Sequence, residues 1–144
     1  MQRIKLVIPE VFSFSTNIPV RITDLNYGGH MGNDKVLSFI HEARVRFLRN
    51  SGYSELDFGG VGLIMSDAVI EFKSEIFYGD EIIASVAAGE FSKIGFTLYY
   101  KLEKNQNGSY MLAATAKTGM VCYDYKNKKI AFVPEEVKLK LTAN

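Results

Sequence analysis

Residues 23–33 read TDLNYGGHMGN and gather an acid, two amides, three glycines and a histidine into one polar run. Such groups can move protons or hold developing negative charge. His30 suits a general base or a hydrogen-bond donor, because imidazole exchanges a proton close to neutral pH. Its bland alternative is structural, tying the loop to the helix that follows. Asn26 can orient a water or polarise a carbonyl, yet an amide cannot accept a proton. Asp24 can accept one, or it can cap a turn through its own backbone. Gly28, Gly29 and Gly32 allow close approach to the main chain, and a glycine-rich turn entering a helix presents free N–H groups and the positive end of the dipole. They can equally do no more than permit a tight turn.

Periodicity indicates the elements that must position this run. Residues 2–8 and about 12–22 carry strand-like patterns, the second with Ile18, Val20 and Ile22 alternating against polar or small neighbours. From Asp34 the apolar positions Val36, Phe39, Ile40, Ala43, Phe47 and Leu48 recur at three- and four-residue steps, the stripe of an amphipathic helix. Asn33 or Asp34 can cap its start, and Gly52 stands where a left-handed C-terminal cap would go. The rest reads as strands over about 62–77, 80–91, 94–104 and 109–124, split by YGD, SKIG and NQNG. Short connections make these neighbours antiparallel. Ile94, Phe96, Leu98, Tyr100 and Leu102 share one face that a single long helix could cover, and VPEEVK adds a closing helical turn.

The expectation is an α+β fold, one long helix wrapped by a curled antiparallel sheet, as a single domain over residues 1–144. Long strands rich in Ile, Phe, Tyr and Val leave edges unpaired and a second sheet face partly apolar. Pairing sheets edge to edge, or stacking outer faces, would remove both, so a homo-oligomer is expected.

Seventeen basic and sixteen acidic residues give a net charge of +1, which supports no nucleic-acid partner. Cys122, the single cysteine, cannot form an internal disulfide, and no Cys/His spacing suits zinc, so no metal is expected. The N-terminus interrupts its apolar residues with charge, unlike a signal peptide, and no apolar run approaches the ~20 residues of a membrane span. A reducing, cytoplasmic setting fits. In it Asn107-Gly108-Ser109 is a hairpin turn rather than a glycan site. GGVGLI lacks the third glycine and following helix of a dinucleotide fingerprint, and there is no Gly-x-Ser-x-Gly elbow.

The stretch VRITDLNYGGHMGNDKVLSFIHEARVRFL resembles the opening signature of hotdog-fold acyl-CoA thioesterases of the 4-hydroxybenzoyl-CoA thioesterase type. That signature runs basic residue, Asp-x-Asp, a short gap, Gly-His, an Asn, then a helix bearing Glu-Ala-Arg. Arg21, Asp24, Gly29, His30, Asn33, Glu42, Ala43 and Arg44 meet it here. EFKSEIFYGDEI is similar to the family's strand, Tyr-Gly-Asp turn and next strand, and the likeness runs from about residue 18 to 133. The chain departs from the pattern at Asn26, where members using the second acid as nucleophile or base have a carboxylate. It departs again at Gly28, where plant acyl-carrier-protein thioesterases would have an Asn.

The resemblance implies hydrolysis of an acyl-CoA or acyl-carrier thioester in a hotdog dimer or dimer of dimers, with the site at the subunit interface. Coenzyme A would enter only as part of the substrate. Backbone N–H groups around Gly29 would hold the oxyanion, Asn26 and His30 would position the carbonyl or water, and Asp24 or an acid from the partner chain would take the proton. Tyr27, Gly28, Asn33, Glu42 and Lys93 are the expected substrate contacts. Glu42 lies where some hotdog thioesterases carry their acid, or faces solvent paired with Arg46 at the four-residue step. Lys93 lies in a loop where relatives often hold the cofactor, and KNKK at 126–129 could meet phosphates or be a solvated turn. Two other classes stay open: a non-hydrolytic acyl-thioester binding protein lacking the acid, and a hotdog hydratase or dehydratase.

Overall fold

A computed structural model describes residues 2–143. The helical stripe forms α1 (Asn33–Asn50), which buries Val36, Phe39, Ile40, Ala43, Phe47 and Leu48 as its spacing requires. Neither Asn33 nor Asp34 caps it. The cap is Gly32, whose extended backbone makes no side-chain bond, and a Cβ there would lie 2.5 Å from the Asp34 carboxylate. At the other end Gly52 adopts φ +84° and donates to Arg49 O, the expected left-handed stop.

Six strands form one antiparallel sheet: β1 (Phe14–Pro19), β2 (Gly62–Phe72), β3 (Glu81–Gly89), β4 (Gly95–Gln106), β5 (Ser109–Asp124) and the two-residue β6 (Lys129–Ile130). Their order is β1-β3-β4-β5-β2, with β6 beside β5. Phe96, Leu98, Tyr100 and Leu102 of β4 face α1, and the small Ala84 of β3 and Ala114 and Ala116 of β5 let the helix sit close to the sheet. The β4–β5 hairpin turns at Asn107 and Gly108, both left-handed, as the two-residue turn demands. A final helix, α2 (Glu135–Thr142), runs two turns rather than one and inserts Val137 and Leu141 into the core.

Several boundaries differ from the periodicity reading. The strand expected over residues 12–22 shortens to β1 and gives way to a single 3-10 turn at Ile22–Asp24. The strand expected over 62–77 stops at Phe72, leaving residues 73–80 as an irregular connector. Ile94 lies in the turn before β4, not on its apolar face. Residues 2–8 form no strand, and their burial alternates only from Lys5 to Ile8, residues 2–5 all being exposed. Leu6, Ile8 and Phe12 are half-buried while Lys5, Val7 and Val11 face solvent. The segment lies across the outer sheet face: Leu6 N–H donates to the Glu71 carboxylate on β2, and the Lys101 ammonium on β4 stands 5.1 Å from the Phe12 ring. Both residues alternate with core-facing neighbours, so they point away from α1.

At the opposite edge, Arg46 of α1 donates to Thr16 Oγ1 (2.9 Å) and to the Asn17 carbonyl (2.8 Å) of β1. Among the described residues no helix is long and apolar enough to cross a membrane.

Candidate active site

The run 23–33 is a miniature hairpin set at the mouth of α1. Leu25 and Met31 bridge antiparallel, Asn26 N–H donates to His30 O (2.8 Å), and Gly29 N–H donates back to Asn26 O (3.1 Å). Gly29 sits at φ +80°, where a side chain would be strained. Asn26 Oδ1 accepts the Gly28 N–H at 2.8 Å, an Asx turn that uses the amide within the loop. Tyr27 occupies the fully exposed tip.

Asp24 closes the base of this hairpin. It is only 2% exposed, and its carboxylate accepts the Arg21 backbone N–H at 2.8 Å and faces the Arg21 guanidinium at 3.3 Å. Its carbonyl takes the Gly32 N–H. These contacts are the ones its turn-capping reading requires.

His30 is half-buried, with Nδ1 3.2 Å from Met31 O. A carbonyl only accepts, so this contact puts the proton of a neutral imidazole on Nδ1 and leaves a lone pair on Nε2. A Cβ at Gly28 would lie 3.4 Å from Nε2, so glycine keeps that edge of the ring open.

The next residue fastens the hairpin to the sheet side. Met31 N–H donates to Ile76 O at 2.7 Å, in the connector after β2. Lys73 and Ser74 N–H both donate to Ala113 O, and Ser74 Oγ to Leu112 O. Between loop, helix and connector lies a cavity of about 270 Å³. Its polar walls are His30, Asn33, Lys73, Ser74 and Glu75; Met31, Val36, Phe72, Ile76 and Ala113 make it apolar elsewhere. Such a mixture suits a ligand with one reactive polar group on an apolar body.

Of the residues singled out from sequence, His30 and Asn33 meet in this cavity, and Asp24, Asn26, Gly28 and Gly29 build the loop that presents them. Glu42 and Lys93 do not come to it. Glu42 pairs with Arg46 at 3.0 Å and lines a separate cleft beside Arg21, because its place on α1 points outward. Lys93, in the β3–β4 turn, lines a separate cleft with Phe132 and Lys138. Glu75 is the acid that pattern reading missed. It reads as part of a strand, and only the break at Phe72 swings it to the cavity.

Arg44, the last residue of the Glu-Ala-Arg match, goes to the core. It donates to Glu55 (2.8 Å) and to the Tyr100 hydroxyl, which also meets Thr118 Oγ1 at 2.7 Å. Burial pushes the Tyr100 hydroxyl above its usual range, so it stays neutral.

A sheet curled about one helix, with a glycine-histidine loop at that helix's N-terminus, is the hotdog arrangement. The Thioesterase-like superfamily matches residues 20–141, and the chain belongs to it. A protein of Aquifex aeolicus (strain VF5), provisionally named an esterase, is 28% identical over 120 residues, covering 82% of this chain and 89% of its own. A thioesterase-superfamily structure from Jannaschia sp. CCS1 superposes with a TM-score of 0.83 at 15% identity, covering 94% of this chain and 84% of that one. A mutant 4-hydroxybenzoyl-CoA thioesterase complexed with 4-hydroxybenzoyl-CoA gives 0.81 at 13% identity, covering 90% and 98%. Both structures share the fold.

Proposed function

We propose that this protein hydrolyses acyl-CoA or acyl-carrier thioesters at the cavity at the mouth of α1. The observation that carries the reading is the convergence of His30, Asn33 and Glu75 on one cavity with apolar walls. Hydrolysis needs a base for water and donors for the oxyanion. Asp24 is committed to Arg21, so Glu75 takes the proton as the water oxygen attacks the thioester carbon. His30 Nε2 accepts from that water and orients it. The oxyanion sits at the first turn of α1 rather than on Gly29, whose N–H is already donated to Asn26. Lys35 N–H already donates to Gly32 O, so the donors are the N–H groups of Asn33 and Asp34, which precede the first helical bond, with the Asn33 side chain beside them. Collapse of the intermediate breaks the C–S bond; the leaving thiolate takes the proton back from Glu75, giving a carboxylic acid and a free thiol.

Phe72 ends the edge strand β2 and also lines the cavity, so a second copy paired along β2 would close one side of the site. That geometry favours a homodimer with the site at its interface.

One observation favours a second reading. Asn26 stands where acid-using relatives have a carboxylate, and its Oδ1 already accepts the Gly28 N–H. A pocket without that acid could bind a thioester and not cleave it. Free-thiol release from a panel of acyl-CoAs separates the two. Turnover by the natural chain that His30→Ala and Glu75→Gln each reduce supports hydrolysis. Tight binding with thiol release only from Asn26→Asp supports the binding protein instead.

A further inference from the structure

The inner face of β4 is apolar at every second residue from Phe96 to Leu102, and then presents Lys104, which is 3% exposed. Lysine is almost never buried without partners. Its ammonium reaches out of the sheet and beneath the connector after β2, where it donates to the backbone carbonyl of Glu75. It also lies 3.9 Å from the Asp80 carboxylate and 5.3 Å from the centroid of the Phe77 ring. All three partners belong to residues 73–80, and Lys104 is not among the cavity walls. The adjacent carbonyl, Ile76 O, accepts the Met31 N–H from the histidine loop. The consecutive carbonyls of Glu75 and Ile76 are thus held one by the sheet and one by the loop.

We propose that Lys104 is a positioning residue that sets Glu75 and Ile76 against the His30 loop. Its catalytic consequence rests on the hydrolytic role given to Glu75 above; its mechanical consequence does not. Without the ammonium, the Glu75 carbonyl and the Asp80 carboxylate lose a buried partner, and the connector must move to find water. That movement loosens the Met31–Ile76 bond and carries the Glu75 side chain with it. Loss of a catalytic base's position is felt in the chemical step more than in binding.

The test is amide exchange by NMR on full-length Lys104→Met, read at Met31 and, for comparison, at Leu98 and Tyr100 in the β4 ladder. Met31 protection is expected to fall at least tenfold while the ladder amides stay within twofold. Unchanged Met31 protection, or an equal fall at all three amides, overturns the proposal. Should the methionine variant not fold, Lys104→Gln gives the same comparison with a neutral side chain one atom too short to reach Glu75. In thiol release, Lys104→Met is expected to lower kcat at least tenfold with KM within twofold, and to add less than twofold on a Glu75→Gln background. Losses that multiply overturn positioning through Glu75. A natural chain that releases no thiol defeats the hydrolytic reading, while the exchange experiment still decides the tie between connector and loop.

Discussion

The imidazole of His30 owes its open Nε2 edge to a residue without a side chain. A Cβ at Gly28 would stand 3.2 Å from Asn26 Oδ1 and 3.4 Å from Nε2. Gly28→Val is therefore expected to lower kcat/KM by about 10²-fold through displacement of the reacting group. Its thermal unfolding should hardly change, since Gly28 is exposed. Equal losses of activity and melting temperature would count against this. Cys122 gives a second prediction at this scale. Burial pushes its thiol up to about 11, so below that pH it stays protonated, and only a thiolate reacts with alkylating reagents. Iodoacetamide at pH 8 should leave Cys122 unlabelled in the native chain and label it after denaturation, as mass spectrometry would read. At this scale the sequence disclosed its polar cluster, because side-chain type alone marks an acid, an amide and a histidine. It could not disclose Glu75 or Lys104. Both interrupt a period-two pattern where charge ordinarily means solvent, and only the connector's path puts one in a cavity and the other beneath it.

Among the elements, α1 was the most legible, since a stripe of six apolar residues at helical spacing admits one reading. Its cap was not, because Gly32 offers no side chain to recognise. The N-terminal segment shows the reverse failure: burial alternates from Lys5 to Ile8 without any ladder, since lying across a sheet imposes the same period locally as belonging to one. Turn chemistry also constrains β4. A Cβ at Gly95 would lie 2.3 Å from Met120 O, a backbone atom that cannot swing aside. Gly95→Ala is expected to cost about 2 kcal/mol of stability, measured by denaturant titration, because β4 or β5 must shift. Loss of less than a few tenths would show that the strand ends are slack. Arg44→Met should cost about 3 kcal/mol, by leaving Glu55 and the Tyr100 hydroxyl without their shared donor.

For the molecule as a whole, the outer sheet face is covered by the chain's own first residues. Glu71 is held below its ordinary 4.5 by the Lys73 ammonium and the Leu6 N–H. A lowered folded pKa stabilises above the unfolded value and loses that contribution as pH falls through the folded one. The Leu6 bond should therefore be complete at neutral pH and released in acid. Leu6 amide exchange, corrected for its intrinsic pH dependence, should lose protection below pH 4.5 and keep it in the neutral range. The proposed dimer should scatter light as twice the chain's 16.2 kDa. Strand composition predicts association, and it does not say which surface would serve, because the N-terminal segment's path is not written in its period.

The two sheet edges are unequal, and that inequality would limit how far the proposed association could proceed. β1 has 6 residues, ends in Pro19, which lacks an N–H, and carries the Arg46 guanidinium on its Asn17 carbonyl; β2 runs 11 residues. A molecule with two adhesive edges adds copies without end and grows a ribbon. With one edge blunted, pairing along β2 joins a surface to its own image and is exhausted at the second copy. In the proposed dimer, the Arg46 that holds α1 to β1 would thus also keep assembly finite, and freeing that edge would turn the closed pair into the first link of a fibre.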